Sequence, residues 1–208
     1  MTRNSRIVSG WPDAFSRVVV GGLFFAFALR LLDDYIQTRR TIDLLMMIGE
    51  ILVVVLTCLR RRATIIDGRA LTRFVTTVSM VAPLMTRPSH NAALLPEAQA
   101  MLLASIGLVI VVVGKISLGC SFGLLPANRG VMERGLYRIM RHPIYLGYLM
   151  THIPFLASHP SSWNIVVLLT GDLALVVRAL FEERTLARDP QYARYCRIVK
   201  WRLVPGIC

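Results

Sequence analysis

Residues 98–114 read AQAMLLASIGLVIVVVG, a run without one charged side chain. A helix crossing the hydrocarbon of a bilayer needs about 20 largely apolar residues, so this stretch suits either a span or the core helix of a soluble protein. The surrounding sequence separates the two. Five further runs carry few or no charges: 18–32, 44–59, 74–85, 145–157 and 163–177. Across the whole chain 55% of the 208 residues are apolar and the mean hydropathy is +0.57, high for a soluble domain.

Charge placement adds direction, because basic connections stay on the cytoplasmic side during insertion. Arg3, Arg6 and Arg17 precede the first run, and Arg60, Arg61, Arg62, Arg69 and Arg73 separate the second from the third. Lys115, Arg129, Arg134, Arg138 and Arg141 fall between the fourth and fifth. The tail carries Arg178, Arg184, Arg188, Arg194, Arg197, Lys200 and Arg202. These are twenty of the 24 basic residues; Arg30, Arg39, Arg40 and Arg87 lie in or beside the alternate connections. The pattern predicts an all-α fold, a polytopic membrane helical bundle of about six spans with both termini cytoplasmic.

A net charge of +12 also suits a nucleic-acid-binding face, but no aromatic-studded basic sheet or recognition helix accompanies it. No nucleic-acid partner is expected, and anionic headgroups of the inner leaflet are the simpler one. Twenty-two Arg against two Lys suggest a GC-rich bacterial genome, and hence a bacterial inner membrane. Cys58, Cys120, Cys196 and Cys208 are too scattered for a metal site or a disulfide framework, so no metal is expected. No small-residue cleavage site follows the basic N-terminus, which marks the first run as a span rather than a signal peptide.

The chain divides into membrane scaffold over 1–114 and a functional core over 115–208. Between Lys115 and Arg141 a basic connection is punctuated by Gly119, Gly123, Pro126, Asn128, Gly130 and Gly135, and loops this long usually carry function. Pro143 opens the next helix, with a turn expected near 158–162 and a return helix over about 164–186. A polar helix over about 191–199 starts after Asp189 and Pro190.

Two clusters carry candidate chemistry. The first is Gly135, Tyr137, Arg141, His142, Pro143, Tyr145 and Gly147. Pro143 leaves backbone amides open at a helix start, and Gly147 lets something approach the helix closely. The geometry suits a polar ligand entering from the cytosol, and equally an interfacial belt anchoring a helix. In the second cluster, Arg178 and Glu182 share a helix face by their i to i+4 spacing, with Glu183 adjacent. Carboxylates there suit a cation, a sugar hydroxyl pair or a helix-end salt bridge. Glu50 and Asp172 are buried-acid candidates that Arg30 could neutralise, while His152 and His159 are expected toward the outer side, far from these clusters.

The run Gly135-x-Tyr137-x-x-x-Arg141-His142-Pro143-x-Tyr145-x-Gly147 is followed in order by Arg178, Glu182-Glu183-x-x-Leu186, Tyr192-x-x-Tyr195, Val199 and Pro205. This arrangement resembles the isoprenylcysteine carboxyl methyltransferase family and, more loosely, the membrane phospholipid N-methyltransferases. Leu118-Gly119-x-Ser121-Phe122-Gly123-Leu124-Leu125-Pro126 and Arg129-Gly130 are similar to its bacterial members. The chain departs in carrying Asp189-Pro190 where the eukaryotic enzymes have Phe-Gly, and its N-terminal half matches no pattern.

The resemblance implies a cytoplasmic C-terminal site for S-adenosyl-L-methionine. Tyr137, His142, Tyr145, Gly147 and Glu183 would contact this cofactor, and Arg178 and Glu182 would face the reacting group. The implied activity is methyl ester formation on a lipid or isoprenoid-like carboxylate. The alternatives are N-methylation of a phospholipid or other amine, and a non-catalytic scaffold or transport accessory.

Overall fold

The computed structural model describes residues 10–39, 41–59, 65–66, 69–87, 89, 91–121, 127–128 and 130–206. Arg3, Arg6, Arg40, Arg60 to Arg62, Gly123, Pro126 and the rest of 122–126, Arg129 and Cys208 lie outside them, as does the side chain of Arg17. The described chain is helical: α1 (Gly10–Thr38), α2 (Thr41–Leu59), α3 (Ala70–Leu84), α4 (Glu97–Leu118), α5 (Pro143–Ser158), α6 (Ser162–Leu186) and α7 (Pro190–Ile198). One short antiparallel pair, β1 (Ile65–Ile66) with β2 (Ala127–Asn128), joins the connection after α2 to the one after α4.

Each of the six apolar runs falls on one helix, α1 to α6, with only Met85 of the third run beyond its helix end, and the polar C-terminal helix is α7. Two of these, α4 and α6, are long and apolar enough to cross a membrane. Their outward faces are apolar as well, with Leu102, Val109 and Ile116 exposed on α4 and Val166, Leu169 and Leu173 on α6.

The helices pair closely as α1 with α2, α3 with α6 and α4 with α5. The α4–α5 seam follows from sequence: Ala100, Ala104, Gly107, Val111 and Gly114 recur at alternating steps of four and three, and all are buried. A Cβ on Gly147 would stand 2.6 Å from Val111 Cγ2 and 2.8 Å from the Gly107 carbonyl oxygen. Small residues let two backbones meet where no side chain fits, the packing favoured between helices in lipid. The boundary expected between 114 and 115 therefore falls inside α4, a helix that the core and the scaffold share.

Lys115 corrects the reading of a basic loop. It sits inside α4, 0% exposed, with Nζ donating to the Gly49 carbonyl at 3.3 Å and lying 5.1 Å from the centre of the Tyr148 ring. A lysine at the end of an apolar run reads as loop, yet its helix continues for another turn.

The turn between α5 and α6 is sealed by polar bonds. Ser161 caps α6 by accepting from the Asn164 amide at 3.1 Å, and Asn164 Nδ2 donates to the Arg87 and His159 carbonyls. His159 Nδ1 accepts from the Ser89 amide at 3.2 Å, so its proton sits on Nε2, facing Asp43 Oδ1 at 3.2 Å.

Candidate functional site

At the opposite end of α5 the chain approaches the helix through a single 3-10 turn, Gly135–Arg138. Gly135 has φ +58°, a left-handed conformation that glycine adopts freely, and a Cβ there would collide with Ser117 Oγ. This turn places Tyr137 in the core, where its carbonyl accepts the Tyr195 hydroxyl at 2.7 Å. Met140 forms a parallel bridge with Trp201, the Arg141 amide donates to the Trp201 carbonyl, and the His142 amide donates to the Arg202 carbonyl, both at 2.9 Å. The tail is thus laid against the segment that opens α5.

Arg141 fastens that junction. Its Nε donates to the Val199 carbonyl at 2.8 Å, Nη2 to the Cys196 carbonyl at 3.2 Å and Nη1 to Glu183 Oε1 at 3.3 Å. Arg202 Nε lies 3.1 Å from Glu183 Oε2. His142 Nε2 lies 3.3 Å from Glu183 Oε1.

Behind this junction opens a cavity. His142 and Tyr145 form one wall, their rings stacked 5.2 Å apart and 9° from parallel. The Tyr145 hydroxyl donates to Glu182 Oε2 at 2.6 Å, and the Arg178 guanidinium sits 5.3 Å from the Tyr145 ring centre. Tyr137, Tyr192 and Tyr195 line the same space. Burial raises the pKa of all three phenols above its ordinary value, so they are neutral donors. The Tyr192 hydroxyl is buried without a partner.

Of the residues singled out by sequence, Tyr137, His142, Tyr145, Arg178 and Glu182 are brought together on this cavity. Two are placed elsewhere. Gly147 faces α4, so the close approach it permits is that of a neighbouring helix. Glu183 stands outside the cavity in a shallower depression with Cys196 and Arg202, where its carboxylate is held by two arginines. Successive helical residues diverge by about 100°, so the adjacent glutamates point in different directions.

The cavity also reaches residues that sequence reasoning set apart. His152, expected far from the site, lines it, as do Glu50, Tyr148 and Asp172. His152 Nδ1 lies 2.6 Å from Asp172 Oδ1, and the charges that act on Glu50 are those of Lys115 and His152 rather than Arg30. Position along a span gives depth, but not which way a side chain turns.

Comparison with known families matches residues 70–197, from the start of α3 into α7, to the family described as Protein of unknown function (DUF1295). That family is associated with steroid 5-alpha reductase/isoprenylcysteine methyltransferase-like membrane proteins. No curated protein and no solved structure matches the chain.

Proposed function

We propose, since the chain belongs to the DUF1295 family, that it is a membrane methyltransferase using S-adenosyl-L-methionine to form a methyl ester on a lipid or isoprenoid-like carboxylate. The observation that carries this reading is the convergence of the His142–Tyr145 segment, Arg178, Glu182 and the α7 tyrosines on one cavity. We take α1 to α6 as six spans with both termini cytoplasmic. The length and apolarity of α4 and α6 and the apolar outward faces support that topology.

The residues present suit the cofactor. A ligand with an aromatic base, hydroxyls and charged ends needs an aromatic wall and convergent polar groups in a largely apolar pocket. The stacked His142 and Tyr145 supply the wall, and Glu182 an acceptor. One buried polar atom of the lining lacks a hydrogen bond, the Tyr192 hydroxyl. Glu183 acts as a positioning residue, fixing Arg141, Arg202 and the tail.

S-Adenosyl-L-methionine supplies an electrophilic methyl group. Arg178 pairs with the substrate carboxylate and holds it, Tyr145 fixes Glu182, and the tyrosine-rich wall keeps water out. A carboxylate nucleophile needs no general base, so positioning is the main task, and it can contribute about 7–11 kcal/mol. With an amine acceptor, Glu182 or His142 would take the proton.

The test is calorimetry of S-adenosyl-L-methionine with purified protein in detergent, followed by tritiated-methyl transfer into a total lipid extract and alkaline release. Label released by alkali is expected, and alkali-stable label would assign amine chemistry. Absence of cofactor binding, or binding of a reduced nicotinamide dinucleotide in its place, would overturn the proposal. Arg178→Ala should spare cofactor binding and lower turnover.

A further inference from the structure

The deep end of the cavity lies among residues halfway along three helices: Glu50 on α2, Tyr148 and His152 on α5, and Asp172 on α6. Ionisable groups at that depth are costly and are held by partners or serve a ligand. Asp172 has His152 at 2.6 Å. Glu50 is 9% exposed, and its Oε2 is buried without a hydrogen-bond partner while the residue lines the cavity. Lys115 Nζ donates to the carbonyl of Gly49, the residue before Glu50. A buried acceptor left open in this way costs several kcal/mol in an apolar medium, and a ligand donor would satisfy it.

We propose that this deep end is a second subsite, taking a hydroxyl on the far part of the substrate. A hydroxyl is favoured over an ammonium because Lys115, on the carbonyl of the residue before Glu50 and over the ring of Tyr148, already brings a cation to this end of the cavity, so a second one would be desolvated for little gain. The separation from the reacting end follows from helix geometry. Asp172 precedes Arg178 by six residues, about 9 Å at a rise of 1.5 Å per residue. Tyr145 and His152, seven apart on α5, give about 10 Å by the same rise. The substrate class is therefore an apolar chain with a carboxylate at one end and a hydroxyl about 9–10 Å away. This rests on Arg178 being the carboxylate clamp of the proposed function.

The experiment compares binding of octanoate and 8-hydroxyoctanoate, whose extended length matches that separation, to the full-length protein in nanodiscs. The 8-hydroxy acid should bind about tenfold more tightly, the worth of satisfying one buried acceptor that otherwise has no partner. The advantage should disappear in Glu50→Leu and, in the unaltered protein, for 4-hydroxybutanoate against butanoate. The chain-length comparison decides the matter even if the Leu variant does not fold. Equal affinity of the two eight-carbon acids, no binding of either, or tighter binding of 8-aminooctanoate overturns the subsite. Arg178→Ala separates the two readings. If the clamp is wrong, both acids keep their affinities and the hydroxyl advantage persists; if the subsite is wrong, Arg178→Ala weakens both acids equally and no advantage exists.

Discussion

Replacing Arg141 by Ala should release the tail while leaving the helical bundle folded. The guanidinium reaches three acceptors on two elements, Glu183 on α6 and the Cys196 and Val199 carbonyls at the end of α7. A hydrogen bond to a charged group contributes about 1.5 kcal/mol at good geometry; assigning that to the 2.8 Å bond and about half to each longer one gives about 3 kcal/mol. Local opening of α7 would then be about 100-fold more frequent. Hydrogen–deuterium exchange with peptide mass spectrometry reads this directly, because amides 193 and 199 bond within or next to α7. Peptides covering 190–199 should exchange about 100-fold faster, while those from α4 and α5 stay protected. Unchanged protection of α7, or an equal loss across the bundle, would show that Arg141 is not the fastening. Arg141→Lys should fall close to the Ala variant, since an ammonium cannot span three acceptors as a planar fork does.

Gly147→Ala should lower thermal stability by about 1–3 kcal/mol, since the added carbon meets Val111 and the Gly107 carbonyl and overpacks the seam. An unshifted unfolding midpoint would mean the α4–α5 seam can open freely. Tyr145→Phe removes the 2.6 Å bond to Glu182 and should weaken cofactor binding or turnover about tenfold with little change in fold. Burial holds the Tyr137, Tyr192 and Tyr195 phenols above their unfolded value of about 10, so the folded state keeps protons that the unfolded chain loses. Stability is fully present below that pH and declines as pH rises past it; Tyr195→Phe should flatten the alkaline limb of the unfolding midpoint against pH.

The helices were legible because apolar runs are a local property: each run from 18–32 to 163–177 falls on one helix, to within one residue. The shared face of Arg178 and Glu182 was legible for the same reason, since both reach the cavity. Rotational neighbours across helices were not. Nothing local tells that Gly147 meets α4, or that His152 turns inward to Asp172. Glu183 shows the limit most sharply. Its motif position does not tell that Arg141 and the tail residue Arg202, nineteen positions on, hold its carboxylate. The pairing of β1 with β2 had no sequence signal, each strand being two residues long.

The position of Lys115 sets how the protein can be labelled. Of the two lysines in the chain, this one is sealed within the bundle, whereas Lys200 is exposed between Val199 and Trp201. With the α-amino group blocked first at near-neutral pH, where it is the less basic amine, an amine-reactive dye applied at alkaline pH would find Lys200 alone among the ε-amines. A fluorophore attached there would sit at the hinge that Arg141 holds, and its emission would register each departure and return of the tail.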